Sequence, residues 1–218
     1  MSNLRHHPKS DTLAAFAAGR LDEARAVVIA THAAQCPDCA KAISDFEALY
    51  GVMLEDAEPV PMADDALEKI LARTEGRASV ILPTEPASSR APDRSPLDPY
   101  LKGSLDDVDW KWVAPGVRQH VMKAEGYRPG VLRLVKFDPG KGVPPHSHKG
   151  EELTLILRGA YRDSIGEFKA GDLADLDGGD THEPIAFGDE PCICLIATSA
   201  PLEFKTLLGK AVQPFVGL

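Results

Sequence analysis

The sequence predicts a multi-domain chain in which an α-helical part is followed by an all-β part, and three observations predict it. Residues 9–73 carry apolar residues at helical spacing. Residues 76–99 are rich in proline and serine, which predicts an extended linker. From residue 100 onward apolar residues alternate between glycine turns. The predicted domains are therefore 1–75 and 100–218, joined by the linker 76–99.

Three helices are predicted first. The first begins near Ser10 and ends at Gly19, since glycine commonly follows the last helical residue. The second runs from Leu21 to Gln35. The third has Pro37 in its first turn, where the missing N–H of proline costs nothing. Together they predict a small helical bundle.

A short fourth helix is predicted after a proline break at Pro59 and Pro61, with Leu67, Ile70 and Leu71 on one side. So short a helix has little of its own domain to pack on. Its apolar side is therefore expected to be covered by the second domain or by another protein, and these three residues are the predicted partner-binding residues.

The all-β part contains three clear strands, at 133–137, 153–157 and 192–197. Glycine- and aspartate-rich turns separate them, as at 138–140, 169–172 and 177–180. Many short strands with such turns predict a small antiparallel β-barrel or a double-sheet sandwich.

Charge and hydropathy exclude several partners. The formal net charge is -9, which argues against nucleic acid and against anionic membranes. Residues 1–75 hold 13 Asp/Glu against 7 Lys/Arg, so a basic protein is a candidate partner for this acidic part. There is no apolar run of about 18 residues and no signal peptide at the start, so a cytoplasmic protein is expected.

The first candidate metal site is the run His32-x3-Cys36-x2-Cys39. Both cysteines lie at the start of a helix, which favours thiolate, and His32 ends the preceding helix. A closed zinc site needs a fourth ligand, and His6 and His7 are the other histidines in this half. The alternatives are a core histidine beside two buried cysteines, or a redox pair without metal.

The second candidate site combines imidazole and carboxylate. His146 and His148 lie two residues apart on an extended segment and point to the same face. Either Glu151 or Glu152 can complete the set, and His182 would join from another strand. Such ligands suit zinc, iron or manganese.

Two further cysteines, Cys192 and Cys194, share one face of a predicted strand. Buried cysteines usually act as small core hydrophobes. The alternative is a thiol pair that faces the metal pocket and reacts with an oxidant.

The N-terminal pattern resembles the zinc-binding domain of bacterial anti-sigma factors. The resemblance rests on the candidate ligand motif and on the sequence segments Arg5-His6-His7, Leu13–Leu21 and Ala30-Thr31-His32. It implies that the upstream ligand is His7, that zinc holds three helices together, and that the fourth helix and its neighbours grip an extracytoplasmic-function sigma factor.

The C-terminal pattern resembles the cupin motifs. The first reads Gly140-x5-His146-x-His148-x3-Glu152-x6-Gly159, and most of the second reads Gly171-x7-Gly179-x2-His182. Asp177 and Ala186 replace the usual proline and asparagine of the second motif. The resemblance implies a cupin fold and selects Glu152 over Glu151, so that His146, His148, Glu152 and His182 hold zinc or another divalent metal.

The two motifs together resemble the ChrR family of anti-sigma factors. That family implies a non-enzymatic, cytoplasmic repressor of a stress sigma factor, with the cupin domain needed for release under singlet-oxygen or peroxide stress. The rival expectation is a metal-dependent cupin enzyme, dioxygenase- or isomerase-like, with a helical docking domain. A third places the switch in the Cys36/Cys39 site itself, where oxidation would eject zinc.

Overall fold

The computed structural model describes residues 4–74, 95–123, 130–199 and 202–204. Within them lie four α-helices: α1 (Ser10–Ala17), α2 (Glu23–Ala33), α3 (Pro37–Glu55) and α4 (Ala66–Thr74). The four predicted helices are confirmed. Helix α2 begins at Glu23 rather than at the predicted Leu21 because the Asp22 carboxylate accepts the Arg25 N–H and caps the helix there.

Twelve β-strands follow in the described residues. They are β1 (Lys111–Ala114), β2 (Val117–Met122), β3 (Val131–Phe137), β4 (His146–His148), β5 (Glu152–Arg158), β6 (Ala160–Arg162), β7 (Glu167–Lys169), β8 (Leu173–Leu176), β9 (Thr181–His182), β10 (Ile185–Ala186), β11 (Cys192–Thr198) and β12 (Leu202–Phe204). The three strands predicted from the sequence are β3, β5 and β11.

The strands form antiparallel sheets. One sheet has the order β1-β2-β3-β11-β5-β8, and two three-stranded sheets have the orders β10-β6-β7 and β12-β4-β9. One apolar core lies between residues of the large sheet and those of β6, β7 and β10. This is the predicted double-sheet arrangement, and the α plus all-β fold class is confirmed.

A second apolar core lies on the other face of the large sheet. It joins residues of α1, α2 and α3 with residues of β3, β5 and β11, and α2 packs directly against these three strands. Strand β11 serves both cores: Ile193 and Leu195 belong to the helical side, whereas Cys192 and Cys194 belong to the inner side. The large sheet is therefore buried on both faces.

The chain divides into two compact units, one of residues 1–48 with 95–218 and one of residues 49–94. The first thus unites the first helices with the β-sheets, whereas the sequence places a domain boundary at 75. A compact unit is defined by packing and a domain by independent folding, so the boundaries at 75 and 99 stay a prediction. Most of the predicted linker, residues 76–94, lies outside the described residues.

No α-helix in the described ranges combines the length and the apolar character that a bilayer crossing requires.

Candidate metal centres

The His/Cys cluster of the N-terminal part consists of His7, His32, Cys36 and Cys39. One donor atom from each lies within 4.8 Å of those of the other three. Because α2 ends close to the start of α3, its last turn brings His32 beside the cysteines. His7 comes from the segment that precedes α1.

The distances fit a tetrahedral zinc ion. His7 Nδ1 lies 3.4 Å from Cys36 Sγ and 3.4 Å from Cys39 Sγ. Zinc bonds of about 2.3 Å to sulfur and 2.0–2.1 Å to nitrogen place tetrahedral neighbours roughly 3.5 Å apart. The cluster therefore has the dimensions of a closed zinc site.

His32 is oriented as a metal ligand. Its Nδ1 lies 2.9 Å from the carbonyl oxygen of Gly171, which can only accept, so Nδ1 carries the proton. The other ring nitrogen, Nε2, is buried and has no hydrogen-bond partner among the described residues. Burial lowers the pKa of His32, which keeps the ring neutral. A buried acceptor without a donor fits a bound cation.

Cys39 needs a cation to become a thiolate. Burial and the neighbouring Cys36 raise the pKa of the Cys39 thiol to about 12. At neutral pH this thiol keeps its proton unless a metal ion displaces it. Cys36 and Cys39 are both unbridged, so no disulfide competes for the sulfur atoms.

His6 lies outside the cluster. Its Nε2 contacts the carbonyl oxygen of Glu167, and its ring packs on Phe168 with centroids 4.1 Å apart. The structure thus brings together the set that contains His7, as the family resemblance implies. The ligand assignment itself stays a prediction.

The imidazole and carboxylate residues of the second part line a cavity of about 40 Å³ between the sheets. His146 and His182 are cross-strand neighbours on β4 and β9, and their ring centroids are 4.5 Å apart. Glu152, at the start of β5, lines the same cavity. His148 lies on β4, but its side chain is outside the described part of the chain.

Both described histidines are held through Nδ1. His146 Nδ1 lies 2.9 Å from the Pro144 carbonyl oxygen, and His182 Nδ1 lies 3.0 Å from Asp163 Oδ2. Such partners fix the ring so that Nε2 is the nitrogen suited to a metal. Burial, reinforced by His182, lowers the pKa of His146 to about 4, so the ring is neutral and able to bind a cation.

The two glutamates have different environments. Glu152 is buried, accepts a 3.0 Å hydrogen bond from Thr154 Oγ1, and has its pKa raised by burial. Glu151 is exposed and forms an ion pair with Arg25 of α2. A buried carboxylate among imidazoles suits a divalent cation, so the donor set fits the metal that the cupin resemblance implies.

Cys192 and Cys194 are close together and buried, with Sγ atoms 3.6 Å apart. The thiol of Cys194 also lines the cavity. The hydrogen bond with Cys192 and then burial raise the pKa of Cys194 well above its usual value. The pair therefore belongs to the core, with Cys194 also at the cavity, and its reaction with an oxidant stays a prediction.

The sequence did not predict a role at this site for Arg133 and Tyr161, which line the cavity, or for Asp163, which contacts His182. A signal for Arg133 existed, because it shares the inner face of β3 with Val135 and Phe137. A charged residue on an otherwise apolar strand face indicates a polar site.

Nine apolar side chains between residues 49 and 71 are at least half exposed, and we call them the exposed apolar surface. They are Leu49, Val52, Met53, Leu54, Val60, Met62, Leu67, Ile70 and Leu71. Three of them are the predicted partner-binding residues of α4. The six others were not predicted from the sequence, although Met53 and Leu54 are apolar residues in the last turn of α3.

Comparison with known proteins gives consistent matches. Residues 102–201 match the family model described as the ChrR cupin-like domain. The chain is 39% identical over 212 residues to the anti-sigma-E factor ChrR of Cereibacter sphaeroides, covering 97% of this chain and 98% of the relative. A crystal structure of Rhodobacter sphaeroides SigE in complex with the anti-sigma ChrR matches with a TM-score of 0.71 and 35% identity, covering 90% of this chain and 99% of the other.

Proposed function

The chain belongs to the ChrR family of anti-sigma factors, and from this premise we propose that it binds an extracytoplasmic-function sigma factor in the cytoplasm and keeps it from core RNA polymerase. The observation that carries the proposal is the exposed apolar surface of residues 49–71. Monomeric proteins rarely leave so many neighbouring apolar side chains in water unless a partner covers them.

Charge supports the same kind of partner. The acidic character of residues 1–75 favours a basic protein, and sigma factors bind nucleic acid, which requires basic surfaces. The net charge of -9 also opposes direct binding of this chain to DNA.

The test is binding of full-length protein to the extracytoplasmic-function sigma factors of the same genome, tried one by one. Leu67→Glu and Ile70→Glu place a charge in the exposed apolar surface, and we expect each to weaken the complex at least 30-fold, as for an interface hot spot. Trp112→Glu is the matched control because Trp112 is 71% exposed on β1 and Leu67 is 67% exposed. Equal affinity of all three variants would refute the proposed surface.

The role proposed for the His/Cys cluster is structural. Zinc held by His7, His32, Cys36 and Cys39 would join the segment before α1 with the end of α2 and the start of α3. Repression and complex formation are measured for Cys36→Ser/Cys39→Ser. If this variant loses zinc and still represses, zinc is not required for binding.

The role proposed for the cupin part is that of a sensor of oxidative stress, singlet oxygen or peroxide. A divalent cation at His146, His148, Glu152 and His182 would supply a Lewis-acid centre. Cys194, beside that centre and 3.6 Å from Cys192, offers an oxidisable thiol pair. Release of the sigma factor would follow from a changed fit between helices and sheet, or from proteolysis in the linker 76–99.

The sensor is tested separately from binding. Complexes of wild-type protein and of Cys192→Ser/Cys194→Ser are exposed to peroxide or to a singlet-oxygen source, and free sigma factor is measured. We expect release only from the wild-type complex. Release at equal rates would remove the thiol pair from the mechanism while leaving the anti-sigma function in place.

A cupin enzyme is the second candidate, and the imidazole–carboxylate set favours it. The size of the cavity opposes it, because about 40 Å³ holds roughly three water molecules, whereas ligand pockets usually measure about 300–1,000 Å³. Turnover of a small organic substrate by the metal-loaded protein would establish this candidate.

A further inference from the structure

Two buried polar side chains line the cupin cavity, and one of them, Arg133, donates to Gln119 Oε1 at 3.3 Å. The hydroxyl of Tyr161 is buried and has no hydrogen-bond partner among the described residues. The guanidinium of Arg133 is 3% exposed and lines the same cavity. An unsatisfied buried hydroxyl costs stability and needs a stated reason. A ligand inside the cavity would supply one.

Charge decides which kind of ligand fits. Arg133 is positive, because arginine does not lose its proton in proteins. The nearby acids are Glu152, which attracts Arg133 electrostatically, and Asp163, which holds His182. Glu152 is therefore the carboxylate that faces Arg133 within the cavity, since Asp163 is not among the residues that line it.

A divalent cation changes this pairing. Bound to Glu152, it would take up the carboxylate that otherwise compensates Arg133 and would leave an excess of positive charge at the cavity. A buried site with a positive excess is stabilised by an anion. The planar guanidinium fork matches a carboxylate, which it can bind with two parallel hydrogen bonds.

We propose that the metal-loaded cavity binds a small carboxylate of about three or four non-hydrogen atoms, recognised by Arg133 and by the hydroxyl of Tyr161. The size follows from the cavity of about 40 Å³. The inference rests on the proposed cupin metal. Binding of metal and of carboxylate is then coupled, so each raises the affinity for the other.

The experiment titrates formate into full-length protein loaded with cobalt(II), whose visible spectrum responds to added ligands. We expect a saturable change in the cupin d–d bands, with no change in the thiolate bands of the His/Cys cluster. Formamide, which has the same number of non-hydrogen atoms and no charge, should produce no change. The metal-free protein should not bind formate, by calorimetry.

Variants separate recognition from folding. Tyr161→Phe keeps the ring, which stacks on Phe168 at 4.9 Å, and removes only the hydroxyl. We expect about fivefold weaker formate binding, as for one lost hydrogen bond. Arg133→Met should weaken binding at least tenfold. Arg118→Met is the matched control, because Arg118 lies on neighbouring β2 and pairs with Asp138 at the surface.

Each remaining outcome is decisive. A formate response that survives both Tyr161→Phe and Arg133→Met, or that formamide reproduces, overturns the proposal. Cobalt bound at the cupin site without any response to formate also overturns it and leaves the proposed sensor metal intact. Absence of a second equivalent of metal refutes the sensor metal and, with it, this inference.

Discussion

Asp172 is the residue whose replacement best tests how the β-sheets support the His/Cys cluster. Its buried carboxylate accepts three backbone N–H groups: Arg5 at 2.8 Å and His6 at 3.2 Å through Oδ1, and Lys169 at 2.9 Å through Oδ2. Arg5 and His6 directly precede the proposed ligand His7. Asp172 therefore ties the segment that carries His7 to the turn between β7 and β8.

The expected magnitude for Asp172→Asn follows from these contacts. The asparagine amide keeps one acceptor oxygen, so the hydrogen bonds from the Arg5 and His6 N–H groups remain but lose the carboxylate charge. The amide NH₂ group takes the place of the other oxygen and faces the Lys169 N–H, so that two donors meet and no hydrogen bond forms. Hydrogen bonds to a charged group contribute about 1.5–3 kcal/mol each. We expect a loss of about 3 kcal/mol in the free energy of unfolding. If this whole loss of free energy weakens the position of the segment that carries His7, zinc affinity decreases by roughly 100-fold.

The assay is competition of full-length, zinc-loaded protein with a chromogenic chelator, together with urea unfolding. Asp175→Asn is the matched control: Asp175 accepts one N–H, from Lys9 at 2.8 Å, near the surface, so we expect a loss below about 1 kcal/mol and unchanged zinc. If Asp172→Asn is destabilised as calculated but holds zinc as tightly as wild type, the reasoning is refuted, and Asp172 supports only the turn.

Three further predictions concern other contacts. Gly171→Ala should lower the free energy of unfolding by about 1–2 kcal/mol, because Gly171 has a φ of +93° and an added Cβ would collide with Leu4 Cδ2. Denaturant unfolding measures this loss, and an unchanged unfolding midpoint would contradict the prediction. Ile29→Ala, in the core between helices and sheet, should cost about 2–5 kcal/mol, while Leu54→Ala, which is 76% exposed, should cost less than about 0.5 kcal/mol. Glu152→Gln should remove the cupin metal and Glu151→Gln should not, by elemental analysis; the reverse result would show that the carboxylate is misassigned.

The sequence predicted the elements better than it predicted their packing. Strand β11 illustrates why. Its unbroken apolar run, Cys192–Ala197, indicates a strand buried on both faces of its sheet, but the neighbouring sequence does not show which part of the chain covers the second face. Helices cover that face, and Val28 of α2 lies 167 residues before Leu195 in the same core. The predicted linker and the change from helical to alternating apolar spacing favoured two separate domains. That pattern carries no information about contacts between the helices and the strands.

The candidate sites show a similar division. Spacing placed His32, Cys36 and Cys39 at one helix junction, and the family resemblance chose His7 and Glu152; the structure places these two beside their proposed partners. Spacing could not reveal Asp163 or Tyr161, because their roles depend on cross-strand neighbours rather than on sequence distance. The ligand assignments of both sites stay predictions.

The hydrogen bond between His32 and Gly171 has a consequence for synthesis of the chain. The two residues are 139 positions apart. At about 5–20 residues per second, a ribosome makes Gly171 roughly 7–28 seconds after His32. All four residues of the His/Cys cluster lie within the first 39 positions. Zinc can therefore hold the nascent helices together before the ribosome has made the sheet that covers their apolar face. Zinc-starved cells should accumulate newly made chains that aggregate or are degraded.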